Sequence, residues 1–249
     1  MTKHRRFFID TGRIADGEVW IVGDTARQIT NVLRLKVGDN VVLFDGSGSE
    51  HEACITAISK SGVSARIVRT SECLTEPKLK LTLAVCLPKG DKLDLIVQKC
   101  VELGISRMVL VSSQRTVTRL EPAKAAARLA RWSTIAVEAT EQSGRTAVPA
   151  IEGVLPYESI ADEVRGHDMA LLAWEDERQT SLRDALAKYR DGDSVLLIVG
   201  PEGGLAECEV ELAREAGAEC VSLGRRTLRC ETAAIAGCAA ILYQIEGEL

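Results

Sequence analysis

Residues 79–87 read Leu-Lys-Leu-Thr-Leu-Ala-Val-Cys-Leu, an almost unbroken apolar run. A strand with one wet face alternates apolar and polar residues. A run like this suits a strand covered on both faces, as in a parallel sheet flanked by helices. The next segment agrees. In 92–103, Leu93, Ile96, Val97, Cys100 and Val101 recur at helical spacing, and Gly104 supplies the stop. Further strands are expected at 107–111, 169–174, 194–199 and 219–223. Helices are expected at 122–142, opened by Pro122, at 207–216, ended by Gly217, and at 231–245. Strands alternating with helices make an α/β domain with a mainly parallel sheet.

The first 70 or so residues have another texture. Short β-rich stretches at 18–22, 40–44, 52–57 and 62–68 are bounded by Gly, Asp, Asn or Ser, with a turn over 44–49. Such spacing suggests a small β-barrel. One helix is expected over 26–35, ending at Gly38. Residues 71–80, with Pro77 and mixed charge, read as a linker, so the domains are placed at 1–72 and 73–249.

Composition removes several classes. With 46% hydrophobic residues there is ample apolar surface for a core, which excludes disorder as the dominant state. The longest uncharged stretch near the C-terminus, 232–245, falls short of the roughly 20 residues of a membrane span. No apolar segment follows the basic start as a signal peptide requires. The eight cysteines show no CxxC or other zinc spacing, and His4, His51 and His167 are scattered. Reduced, half-buried cysteines in a metal-free, cytoplasmic protein are expected. The net charge of −5 does not advertise a nucleic-acid binder, but a local patch decides that question, not the total.

Four segments can carry chemistry. Residues 196–205 run Leu-Leu-Ile-Val into Gly200-Pro201-Glu202-Gly203-Gly204-Leu205: a buried strand, a glycine-rich loop and a helix. Loops at the C-terminal ends of parallel strands are where open α/β sheets bind ligands. It is neither GxGxxG nor a Walker loop. Glu202 would repel a diphosphate and favour a ligand bearing positive charge. The bland alternative is a tight strand-to-helix turn. Residues 223–234 place Arg225, Arg226 and Arg229 in one loop ahead of Glu231, either to hold phosphate or a polarised base oxygen, or as a solvated charged turn. Residues 138–145 end the long helix with Glu141 and Arg145, which equally suits an ordinary polar helix end. His4-Arg5-Arg6-Phe7-Phe8, with Arg34 and Lys36 in the same half, joins basic and aromatic residues as RNA binders do, or is a basic start with Phe7 and Phe8 as core.

Taken together these segments resemble one family. Gly200-Pro201-Glu202-Gly203-Gly204, the 223–233 loop LGRRTLRCETA, KGDKLDLIVQKCVELG at 89–104, EQSGR at 141–145, VLRLKVGD at 32–39 and the RRFF start are similar, in order and over nearly the whole chain, to the RsmE family of 16S ribosomal RNA (uracil-N3) methyltransferases. The resemblance implies a PUA-like β-barrel RNA-binding domain, then a SPOUT α/β domain whose C-terminal segment forms a trefoil knot. It implies a homodimer that binds S-adenosylmethionine in the knot and methylates a uridine of 16S rRNA in the small ribosomal subunit. Carried onto this sequence, cofactor-binding residues would be Leu172, Trp174, Ile198, Gly200, Pro201, Glu202, Gly203, Leu223, Gly224, Leu228 and Arg229. Arg229 would stabilise a uracil anion, and Glu231 or Glu141 would take the proton. Arg5, Arg6, Arg34, Lys36, Lys89, Lys92 and Arg145 would contact RNA. Gln28 stands where the family often has His, which puts a charged contact there in doubt.

Three rivals remain on the sequence: a ribose 2′-O-methyltransferase, a non-catalytic ribosome-assembly factor and a dinucleotide-dependent enzyme. The β-rich first domain and the 89–104 segment argue against the first. Glycines in both loops argue against the second, and the lack of GxGxxG against the third.

Overall fold

The computed structural model describes residues 5–73, 75–116 and 122–247, which form two compact units. The first comprises residues up to 76 together with 140–148. The second holds 77–139 and everything from 149 onward. His4 of the basic start lies outside the described residues.

In the first unit the chain forms β1 (Arg6–Phe8), β2 (Ile14–Ala15), β3 (Glu18–Ile21), α1 (Gly23–Arg27), β4 (Asn40–Phe44), β5 (Ser49–Ile58) and β6 (Val63–Glu72). One sheet runs β1-β4-β5-β6-β3-β2, with β1 and β4 parallel and the other pairs antiparallel. Asp16 and Gly17, both at positive φ, form the two-residue β2–β3 turn. Asp-Gly is a strong hairpin signal, because both central residues of such a turn need that conformation. Along β3, buried Val19 and Ile21 alternate with exposed Glu18 and Trp20. Phe7, Ile29, Leu43, Ile55 and Ala65 join them in the core.

The helix expected over 26–35 is broken. Five residues of α1 pass directly into a π-helical turn, Gln28–Val32, and Arg34 follows at φ 53°. β-Branched Ile29, Thr30 and Val32 crowd a regular helix. The Thr30 hydroxyl also donates to the Ala26 carbonyl. The 71–80 linker is likewise partly structured, because Thr75 Oγ1 donates to the Gly144 carbonyl at 2.8 Å.

Residues 140–148 fasten this unit. Arg145, 4% exposed, donates to Glu76 at 2.7 Å, and Glu76 Oε1 also accepts the Thr146 and Ala147 amides. The Phe8 amide donates to Glu141 Oε1 at 3.0 Å, and Arg6 donates to the Arg145 carbonyl and pairs with Glu50. Burial alone would raise the Glu76 carboxyl. Arg145 and the two amides outweigh it and hold the group below the ordinary carboxylate range.

The second unit contains β7 (Lys80–Cys86), α2 (Lys92–Leu103), β8 (Arg107–Ser112), α3 (Pro122–Ser143), β9 (Ala150–Pro156), α4 (Ile160–Arg165), β10 (Met169–Ala173), α5 (Leu182–Leu186), β11 (Ser194–Val199), α6 (Glu207–Ala216), β12 (Glu219–Val221) and α7 (Cys230–Glu246). The last turn of α3 belongs to the first unit. The six strands are parallel, in the order β12-β10-β11-β7-β8-β9. From β7 the chain steps outward through β8 and β9, then returns to the far side for β10 to β12. β9, α4 and α5 escape the sequence reading. β9 is only half-buried and lacks a buried apolar run, and the two helices are five or six residues long.

Two contacts fix the layers. Arg107 on β8 grips Glu152 of β9 and Glu163 of α4, each through two nitrogens. Where α7 crosses β11, a methyl group added at Gly237 would lie 2.7 Å from Leu197 Cδ2. No helix among the described residues is long and apolar enough to cross a membrane.

Glu76→Ala removes one partner of a mostly buried pair, and about 3 kcal/mol of stability should go with it at neutral pH. A carboxyl whose folded pKa is depressed stabilises above its unfolded pKa, and that contribution disappears as pH falls through the folded value. Denaturant titrations should show the gap between variant and wild type narrowing on acidification to about pH 3.

Candidate cofactor cleft

Parallel strands deliver their C-terminal ends to one edge, and four loops meet there. They follow β7 (87–91), β10 (174–180), β11 (200–206) and β12 (222–229), and the last three surround a cleft of about 380 Å³. That is within the usual size of a small-molecule site. Its walls include Ala173 and Trp174, Val199 to Glu202, Gly204, Ser222 to Gly224, and Arg226 to Cys230.

The glycines have separate reasons to be there. Gly204, at φ +69°, donates its amide to the Pro201 carbonyl and closes the turn. A side chain on it would meet Glu175 Oε1 at 2.2 Å. At Gly200 an added methyl would press on Leu205 at 3.1 Å. Gly224, at φ +128°, has nothing within 4 Å of that position, so a ligand can approach its bare backbone.

The charges are organised around Lys92, at the start of α2. Its Nζ donates to Glu202 Oε1 at 2.8 Å and lies 3.3 Å from Glu231 Oε2. The Lys89 amide adds a hydrogen bond to Glu202 at 3.1 Å. The hydrogen bond to Glu202 raises the Lys92 pKa above its ordinary value. For Glu202, partial burial pushes upward, but Lys92 and the backbone outweigh it and the carboxyl is lowered. Cys230 beside them is no nucleophile. Burial first, then Glu202 and Glu231, push its thiol up to about 12. Among the described residues the side chains of Glu175, Arg225, Arg226 and Arg229 have no hydrogen-bond or ion-pair partner.

Comparison with known proteins agrees with this geometry. Residues 75–242 match the model of an RNA methyltransferase domain, and residues 23–68 that of an RNA methyltransferase PUA domain. Ribosomal RNA small subunit methyltransferase E of Bacillus subtilis is 34% identical over 230 residues, covering 91% of this chain and 90% of that protein. This chain belongs to the ribosomal RNA small subunit methyltransferase E family. The family member from Rickettsia conorii is 32% identical, over 96% of this chain and 95% of its own. Among solved structures, the methyltransferase E of Neisseria gonorrhoeae bound to S-adenosyl methionine superposes with a TM-score of 0.84, at 33% identity, covering 97% of each chain. A putative Legionella pneumophila methyltransferase in complex with the same cofactor gives 0.87 at 28% identity, over 95% of this chain and 96% of that one.

In this methyltransferase E chain, Trp174, Gly200, Pro201, Glu202, Leu223, Gly224, Leu228 and Arg229 line the cleft. Leu172 and Ile198 do not. They are register partners with no more than 1% exposure and pack in the core, while Ala173 and Val199, one residue on, reach the wall. The alternation of a strand sends neighbours to opposite faces. Gly203 turns instead to Arg115, whose Nη1 donates to its carbonyl.

The charged residues sort differently from expectation. Lys92 is engaged by two carboxylates and is not free for phosphate. Arg6 and Arg145 are committed inside the first unit. Arg5 lies 3.5 Å from Asp39, and Arg34, Lys36 and Lys89 are exposed. Glu141, 8% exposed, holds the Phe8 amide in the first unit. Glu231 faces Lys92 and is not part of the cleft wall. Glu175, Arg178 and Thr227 are wall residues that sequence reasoning missed. Only Thr227 carried a signal, its place in the arginine loop. Among the described residues no cluster of His, Cys, Asp or Glu is placed to hold a metal ion.

Lys92→Met strands two carboxylates that are largely shielded. A loss of stability is expected near neutral pH. Since the folded pKa of Glu202 is depressed, that loss should shrink below about pH 4, where the stranded carboxyls take up protons. Equal losses at both pH values in urea titrations would contradict the pairing.

Proposed function

We propose that this protein transfers a methyl group from S-adenosylmethionine to N3 of a uridine in the 16S rRNA of the small ribosomal subunit. The observation carrying this is the convergence of the 200–206 and 222–229 loops on one cleft, in a chain of the methyltransferase E family. The cleft suits the cofactor. Bare backbone at Gly224 offers close approach to an adenine, and Glu175 is an unpaired carboxylate fit for an ammonium or sulfonium.

The bound cofactor supplies an activated methyl carbon with a neutral thioether as leaving group. What remains for the protein is alignment and stabilisation of the acceptor's charge. Uracil N3 must pass its proton to water at the open cleft, and negative charge then spreads onto its carbonyl oxygens. Arg229 caps the N-terminus of α7 with its backbone and keeps an exposed, unpaired guanidinium at the cleft wall, where it can face that charge. Glu231 supports Lys92, which in turn holds the Glu202 loop. Arg34, Lys36 and Lys89 are available to phosphate. The C-terminal knot, the homodimer and the cytoplasmic setting belong to the same reading. Exposed Leu95 on α2 and Tyr243 on α7 give a second copy apolar surface to cover.

Purified protein, labelled S-adenosylmethionine and small subunits lacking native methylation should yield 3-methyluridine on nucleoside mass spectrometry. A 2′-O-methyl nucleoside would overturn the substrate, and failure to bind the cofactor would leave an assembly factor. Arg229→Ala should lower turnover by about a hundredfold, the scale of one lost charge-stabilising donor, while cofactor affinity changes by no more than a few-fold.

A further inference from the structure

Beside the cofactor cleft lies a second concavity of about 430 Å³, lined by Arg178, Gln179, Ser181, Ser222, Gly224 and Arg225. It shares Arg178, Ser222 and Gly224 with the first, so the two adjoin. We propose that this second cleft is a phosphodiester subsite, holding the RNA backbone next to the nucleotide presented to the cofactor. The proposal rests on the RNA-methyltransferase reading above and assigns that substrate a path.

The floor is rigid. Ser181 and Ser222 form an isolated parallel bridge, in which the Ser222 amide donates to the Thr180 carbonyl at 2.9 Å and the Leu182 amide to the Ser222 carbonyl at 3.1 Å. The 174–180 and 222–229 loops, which carry the two arginines, are therefore tied together under the cleft.

The charge is uncompensated. Arg178 Nη1 donates to the backbone carbonyls of Glu175 and Glu177, which steady the side chain without neutralising it. Arg225 has no side-chain partner among the described residues. Of the acids nearby, Glu175 and Asp176 form no ion pair with either arginine, and two others are engaged elsewhere. Glu177 accepts the Gln179 and Thr180 amides and lies 4.0 Å from Arg214, and Asp184 is held in a capping box with Ser181. Two exposed guanidiniums over a polar floor, in a chain of net charge −5, match a phosphodiester better than any neutral or cationic ligand.

A nucleotide seated against Arg229 is one link of a polyanion, and its neighbouring phosphates must emerge from the cleft mouth. Lys92 is occupied by Glu202 and Glu231, which leaves the arginines at the mouth, with Lys89 at the same edge, to receive them.

The test is binding, independent of turnover. A fluorescent oligoribonucleotide from unmethylated small-subunit rRNA is titrated by anisotropy across a salt series, with S-adenosylmethionine affinity measured by calorimetry on the same preparations. Arg225→Ala should weaken RNA binding roughly tenfold and flatten the plot of log K against log salt by about 0.7, the value for one lost phosphate contact on a single strand. Cofactor affinity should not move. Arg178→Ala should add a similar flattening, and Arg225→Lys should restore the slope. An unchanged slope in Arg225→Ala overturns the subsite, as does a loss of RNA binding with no salt signature. Absence of methyl transfer by the wild type would instead strike the functional reading, and the slopes would still decide the subsite.

Discussion

Six strands that all run one way must all end at one edge. That constraint organises the second unit. Its interior strands are covered on both faces and hold almost nothing polar, so chemistry is confined to the loops beyond their C-terminal ends. The return of the chain from β9 to β10 brings loops distant in sequence side by side there. The 174, 200 and 222 loops surround one cleft because β10, β11 and β12 lie together at one side of the sheet, not because they are close along the chain.

Within that edge the charges fall into two sets with different jobs. Lys92, Glu202 and Glu231 pair among themselves and tie the start of α2, the glycine loop and the start of α7 into one frame. Glu175, Arg178, Arg225, Arg226 and Arg229 stand without ionic partners and are the groups free to meet a ligand. Sorting ions by engagement separates support from recognition more sharply than sorting them by sign.

The parallel domain was largely legible in the sequence, because its strands are long apolar runs and its main helices carry a complete buried stripe, as Leu93 to Val101 do. The cleft was legible through its glycines and arginines. What escaped has physical reasons. Leu172 and Ile198 differ from their wall-forming neighbours only in which face of a strand they occupy, and one-residue phase is hard to read from an unbroken apolar run. The roles of Lys92, Arg6 and Arg145 depend on partners far away in the chain, which no local pattern displays. The first unit's helix failed at Ile29, Thr30 and Val32, where tertiary packing of Ile29 outranked helical periodicity.

The first unit is not contiguous in the chain. Its ion pair between Glu76 and Arg145, and the Phe8 amide held by Glu141, join its N-terminal stretch to residues 140–148. During synthesis that closing segment leaves the ribosome only after β7, α2, β8 and most of α3 have been made. The N-terminal unit therefore cannot be completed when its own strands emerge, although domains commonly fold as they are made. Its β1 end and the Glu76 carboxylate must wait, solvated, for a strip of chain from the far end of a helix. For the same reason a fragment cut at the apparent domain boundary would lack its own clasp, and the two units are bound to mature as one translational event.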